Sequence, residues 1–338
     1  MKHYISLLTL IVIASLSTSC THSNRQNVDI SHIDLTVKIQ RFDSAFWAID
    51  TNDIASGMAR LANDYPGITD VYLRKVVTFG APDDELTHHT YRLFRRDTAV
   101  TRLYTDCLTK YTDLSDIDRT LTDAFRRAKA LLPQLSTPRL YCHVSGFNQS
   151  LVVGDGFLSV SLDNYLGTDY PIYQMIGIYD YQRANMRREK ITPDYIVAWL
   201  SSEYYPNPHS TLLDDMLYHG KILYATSILL PDVDYRTIMG YSDSQWQWVK
   251  EREYEIWQTM LGTRAIYETN ILTKGQYLND GPFTLPLTQE SPARIGTYTG
   301  WQIVDSFMKK NPSISLAQLM ELTDYQSILS RSKYNPKK

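Results

Sequence analysis

The sequence predicts an α+β protein: a small mixed sheet with helices before it, followed by a mainly helical body. Three observations predict it. Residues 139–162 hold three short apolar runs punctuated by Gly146, Gly154 and Gly156. The segments on either side repeat their apolar residues at helical spacing and end at prolines. The strands are grouped together, with no internal repeat, which is the order of an α+β chain.

Each element carries its own signal. DLTVKIQRFD alternates Leu35, Val37 and Ile39 with polar residues, as a strand does. DSAFWAID and ASGMARLANDYPGI read as helices broken at Pro66-Gly67. The period stays helical from about 85 to 132. SDIDRTLTDAFRRAKALLP offers Ser115 as a cap, aligns Leu121, Phe125, Ala128 and Leu132, and stops at Pro133. The strands then fall at 139–144, 150–153 and 157–162, with Gly154-Asp155-Gly156 as a tight hairpin connection.

After Tyr165 the pattern is helical again. TPDYIVAWLSSEYYP starts with Thr192 as a cap and Pro193 in the first turn. STLLDDMLYHGKILYATSILLP runs from a Ser210 or Thr211 cap to Pro231. SDSQWQWVKEREYEIWQTML opens with the capping-box pair Ser242 and Gln245. Two further helices are separated by Pro312.

The 338 residues are 43% hydrophobic and 21% charged, enough for a substantial core. The 25 tyrosines suit partly buried, wet surfaces. A net charge of −3 provides no basic surface for nucleic acid.

The N-terminus carries an address. MKHYISLLTLIVIASLSTSC has a basic Lys2, an apolar run from Ile5 to Ala14 and small residues before Cys20. The run is too short to span a bilayer comfortably, so it reads as a secretion signal with a relaxed lipobox. Residues 1–19 are expected to be removed and Cys20 lipidated, several acyl chains giving a stable membrane anchor. The alternative is an ordinary signal peptide with an incidental Cys20. Residues 20–34 then form a polar tether, 35–168 an N-terminal α/β subdomain and 169–338 a helical C-terminal subdomain. The expected place is the cell envelope, lipid-anchored and facing the periplasm. Cys107 and Cys142 could pair there or remain two buried thiols, and their spacing favours neither.

An ordered set of blocks runs through the chain: Arg41-Phe42-Asp43, Tyr65-Pro66, Asp163-Asn164-Tyr165-Leu166-Gly167, and Met216-Leu217-Tyr218-His219-Gly220-Lys221. Gly240-Tyr241 with Gln245 and Trp246, Glu255-Ile256-Trp257, SPARIGTYTGWQIVDSFM and SKYNP follow. In these blocks the chain resembles the gliding motility-associated lipoproteins of the Bacteroidetes, the GldB-like family. The resemblance covers nearly the whole mature chain. It implies a lipoprotein whose partners are envelope motility or secretion proteins.

A weaker similarity is to zincin-type predicted zinc peptidases. DGFLSVSLDNYLG resembles their edge strand, residues 195–205 stand where the H-E-x-x-H helix would be, and His219-Gly220 stands where a glutamate-glycine pair would be. Catalytic zinc needs three protein ligands around an open position. None of the eight histidines forms an H-x-x-x-H pair, and the first helix offers only Ser201, Ser202 and Glu203. The expected body is therefore zincin-like and free of metal, with Glu203 and His219 as relic active-site positions.

The simpler roles of the same residues are structural. His219 shares a stripe with Leu212, Met216 and Leu223. Asp214 and Asp215 suit the first turn of a helix. Trp246, Val249, Glu253 and Trp257 follow helical spacing, and Gly296 and Gly300 suit close helix packing. There is no G-x-S-x-G, P-loop or dinucleotide fingerprint. The expected function is a non-catalytic envelope lipoprotein acting by protein–protein interaction, without cofactor. A metallopeptidase with unusual ligands and a ligand-binding lipoprotein are the alternatives.

Overall fold

A computed structural model describes residues 28–206 and 210–338. The signal segment, Cys20, the tether as far as residue 27 and His209 lie outside the described residues.

The architecture is α+β. Helices α1 (Phe42–Trp47), α2 (Ile54–Asp64), α3 (Ile68–Val71, continued by a π-helical turn, Tyr72–Val76), α4 (Glu85–Phe94), α5 (Thr98–Lys110) and α6 (Ser115–Leu131) come first. Strand β1 (Ile39–Gln40) precedes them, and β2 (Arg139–His143), β3 (Leu151–Gly154) and β4 (Phe157–Ser161) follow. The remainder is helical: α7 (Pro171–Met175), α8 (Asp180–Arg183), α9 (Ile191–Glu203), α10 (Leu212–Leu229), α11 (Tyr235–Met239), α12 (Asp243–Glu251) and α13 (Glu253–Gly262). Helices α14 (Ile271–Leu278), α15 (Ile295–Lys310), α16 (Leu316–Glu321) and α17 (Tyr325–Ser332) complete it.

The sheet has the order β1-β2-β4-β3, with β1-β2 and β2-β4 parallel and β3-β4 antiparallel. One face carries Tyr141, His143, Phe157 and Ser159, and it meets the aromatic side chains of the early helices. Tyr65 lies 6.0 Å from Tyr141, and Tyr72 lies 5.8 Å from His143, between ring centroids. Helix α9 packs against β3 and β4, and the Tyr195 hydroxyl on it donates to the Tyr141 carbonyl.

Strand order corrects one expectation. The segment DGFLSVSLDNYLG contains β4, which is paired on both sides; the edges belong to β1 and β3. The strand expected from Leu35 shortens to Ile39–Gln40. Its backbone is satisfied instead by α6: Thr122 Oγ bonds to both the Val37 N–H and the Val37 carbonyl, and Asp118 accepts the Ile39 N–H at 2.9 Å. Two caps also move. Ser115 is the first helical residue, and Asp113 accepts its N–H at 2.8 Å. Helix α9 opens at Ile191 out of a 3₁₀ turn, so Thr192 lies inside it. The Ser242–Gln245 capping box forms, and Thr211 caps α10.

Helix α10 is buried around nearly its whole circumference, as its lack of a polar face requires. It packs chiefly on α15, and the two form the axis of the helical body. Buried lysines bind the surrounding helices to it. Lys221 Nζ donates to the Met320 and Leu322 carbonyls at 2.9 and 2.7 Å, satisfying the C-terminal end of α16. Lys274 Nζ contacts Asp215 at 2.7 Å and the Ser210 carbonyl at 2.9 Å, tying α14 to the start of α10.

Candidate functional site

The segment Asp163–Gly167 leaves β4 through a 3₁₀ turn, Leu162–Tyr165. Asp163 is fully buried and holds the 145–147 loop. It accepts the Ser145 N–H at 3.1 Å, the Phe147 N–H at 2.6 Å, the Ser145 hydroxyl at 3.3 Å and the Ser161 hydroxyl. Burial raises its pKa while these donors pull it down. The loop needs that hold because Gly146 and Phe147 both have positive φ, 71° and 65°. The left-handed conformation is costly for a phenylalanine and persists only where its surroundings fix it.

Phe147 thereby becomes one wall of a pocket of about 300 Å³. Ile178 and Met186 supply its other apolar surface; Ser150, Asn164, Gln182 and Asn185 supply uncharged polar groups. Two carboxylates, Asp194 and Asp280, complete the lining with Tyr165. Asp194 stands in the first turn of α9, paired with Lys190 Nζ at 2.9 Å and accepting from the Tyr165 hydroxyl at 2.9 Å. Burial, then the Asp194 charge, pushes the Tyr165 phenol well above its usual pKa, so it stays a hydrogen-bond donor. The Asn164 amide nitrogen has no partner. The pocket floor is fixed from below: Tyr173 OH accepts the Leu166 N–H at 2.9 Å and donates to the Asp163 carbonyl.

One flank of the pocket continues into an exposed apolar tip. Ile178, on the wall, adjoins Met175 at 81% exposure, Ile176 at 51% and Tyr179 at 67%. Gly177, at φ 80°, makes the bend between them. Tyr179 stacks on Tyr181 with centroids 5.7 Å apart.

The residues singled out from sequence lie elsewhere. Glu203 is exposed at the end of α9. His219 is half-buried on α10, and burial together with Arg294 lowers its pKa to about 4, against the opposing pull of Asp215. No group of three or more His, Cys, Asp or Glu side chains placed to hold a metal occurs among the described residues. Cys107 on α5 and Cys142 on β2 are free, buried thiols, and Cys142 donates to Asp43 Oδ1 at 3.1 Å.

Sequence reading missed a serine–histidine contact: His143 Nδ1 lies 2.7 Å from Ser159 Oγ. It is not built as a nucleophilic pair. Both residues are fully buried, and Asp163 is engaged by Ser145, Ser161 and Phe147 rather than by the imidazole. Burial lowers the His143 pKa to about 3, and its Nε2 has no partner. The pairing of β2 with β4, which brings the two together, has no local sequence signal.

Among the described residues no helix is long and apolar enough to cross a membrane. The family model described as "Gliding motility protein GldB" matches residues 23–336, so the chain belongs to that family. No curated protein and no solved structure matches. Membership associates the chain with the cell envelope.

Proposed function

We propose, from membership of the gliding motility GldB family, that this chain is a non-catalytic, lipid-anchored envelope protein. It faces the periplasm and acts by docking a partner of the motility or secretion machinery. The observation that carries the reading is the continuity of the Asp163–Gly167 pocket with the exposed tip Met175, Ile176 and Tyr179. Contiguous exposed apolar side chains beside a polar pocket are the usual surface of a protein interaction site.

A photo-crosslinking side chain at Met175 or Ile176 in intact cells tests this. It should give one discrete adduct with an envelope protein, whereas the same side chain at exposed Lys129 gives none. Met175→Asp with Ile176→Asp should remove the adduct and the envelope function lost on deletion of the chain, at unchanged protein level. Full function in that double variant would refute the docking tip.

A further inference from the structure

The register of the β3–β4 hairpin decides which backbone groups of β3 are free. Ser161 N–H donates to the Ser150 carbonyl at 2.8 Å, which makes Ser150 and Ser161 a hydrogen-bonded pair. In an antiparallel ladder such pairs alternate with non-bonded ones. Val152 with Ser159 and Gly154 with Phe157 are therefore bonded pairs, and the two-residue hairpin loop agrees. Leu151 and Val153 fall on the alternate positions, opposite Val160 and Leu158. Their N–H and C=O groups point away from β4, along the open edge of the sheet. The edge carries no proline or charge, and Val153 is 48% exposed. Natural edges are usually blunted by such residues. Ser150, next in line, already belongs to the pocket lining.

We infer that the β3 edge binds an extended segment of the partner protein by strand addition, with a basic side chain of that segment entering the Asp194–Asp280 pocket. The inference rests on the docking role proposed above and names the chemistry of what docks. Strand addition supplies backbone hydrogen bonds, and a pocket beside the edge supplies side-chain choice. The main-chain groups of Leu151 and Val153 match one extended segment, whose path in either direction passes Ser150. At that point the lining offers two carboxylates and no cationic side chain. Asp194 is offset by Lys190, leaving Asp280, an exposed residue that accepts the Gly281 N–H, to attract the incoming charge.

The test uses the mature lipidated chain in detergent and three capped peptides of alternating valine and threonine. One has a central arginine, one a central glutamate, and the third is the arginine peptide N-methylated on alternate residues. The arginine peptide should bind about fivefold more tightly than the glutamate peptide, the scale of one ion pair in a partly wetted site. Asp280→Asn should erase that ratio. Val153→Pro removes an outward N–H that the fold does not use, and proline is tolerated at such edge positions. It should keep the melting temperature and weaken the arginine peptide about tenfold, the scale of a lost backbone hydrogen bond or two. Hydrogen exchange at Leu151 and Val153 should slow on adding the arginine peptide but not its N-methylated form. Equal binding of all three peptides, undiminished binding by Val153→Pro, unchanged exchange at these amides, or a self-association that Val153→Pro abolishes would each overturn the inference. Crosslinks from Met175 that persist alongside such a result would show that a partner docks without strand addition.

Discussion

Gly220 on α10 and Gly300 on α15 meet backbone to backbone. A Cβ on Gly220 would stand 2.4 Å from the Gly300 carbonyl carbon, and one on Gly300 would stand 1.8 Å from the Met216 carbonyl oxygen. Main chain cannot yield as a flexible side chain can. Gly300→Ala should therefore cost about 3 kcal/mol or more, at or beyond the upper end of overpacking. Gly262→Ala is the control, because a Cβ there meets nothing within 4 Å at the end of α13. It should be neutral or stabilise by up to about 1 kcal/mol, since alanine is the better helix former. Urea titrations of both variants decide; equal midpoints would mean that the α10–α15 contact accommodates a methyl group.

The Gly296 and Gly300 spacing was readable as helix packing because it is local and periodic. Its partner Gly220 carries no such signal, since the crossing of α10 and α15 joins positions about eighty residues apart with no shared period. The same limit governs the site. The helices follow from periodicity and prolines and the hairpin from alternation and its turn, while the caps at Ser115 and Thr192 do not form. DGFLSVSLDNYLG reads as an edge strand although β4 lies inside the sheet, because strand order is a tertiary property. Asp163 stood out in a motif, yet its hold on the Phe147 backbone is a side-chain contact across the hairpin that no local pattern encodes. Val37 likewise alternates like a strand residue but is satisfied by Thr122.

Two imidazoles, the buried His143 and the half-buried His219, predict an acid-sensitive fold. His143 has a pKa of about 3 in the folded chain and His219 about 4, both below the ordinary 6.5, chiefly through burial. The unfolded chain therefore binds more protons between those values. Stability present above pH 6.5 should fall as pH drops through that window, by up to about 1.4 kcal/mol per unit for each imidazole. His143→Gln should remove about one proton from the slope of unfolding free energy near pH 5, leaving the His219 share. Parallel slopes for wild type and variant would place His143 in contact with solvent.

The thiols should be present and protected. Burial raises both thiol pKa values, and the Asp43 carboxylate accepts from Cys142. The neutral thiol is a poor nucleophile. Iodoacetamide should therefore leave Cys107 and Cys142 unmodified in the native chain and alkylate both in urea without reductant. Failure to alkylate either in urea, with recovery after reduction, would establish a disulfide instead.

The position that a zinc helix would occupy leads to the last expectation. Helix α9 brings no imidazole, Glu203 ends it in solvent, and His219 sits half-buried on a different helix. One imidazole and the Glu203 carboxylate provide too few donors for a catalytic zinc, and each missing ligand also removes the order that holds the others. The mature chain, purified without a histidine tag or chelator, should carry far less than one zinc per molecule by elemental analysis. It should release no fragments from a peptide library in zinc-containing buffer. His219→Ala should lower stability by about 1 kcal/mol, the ordinary cost of a lost partly buried contact, and leave the metal content where it was. One zinc per chain that disappears with His219→Ala would revive the metallopeptidase alternative and locate its first ligand on α10.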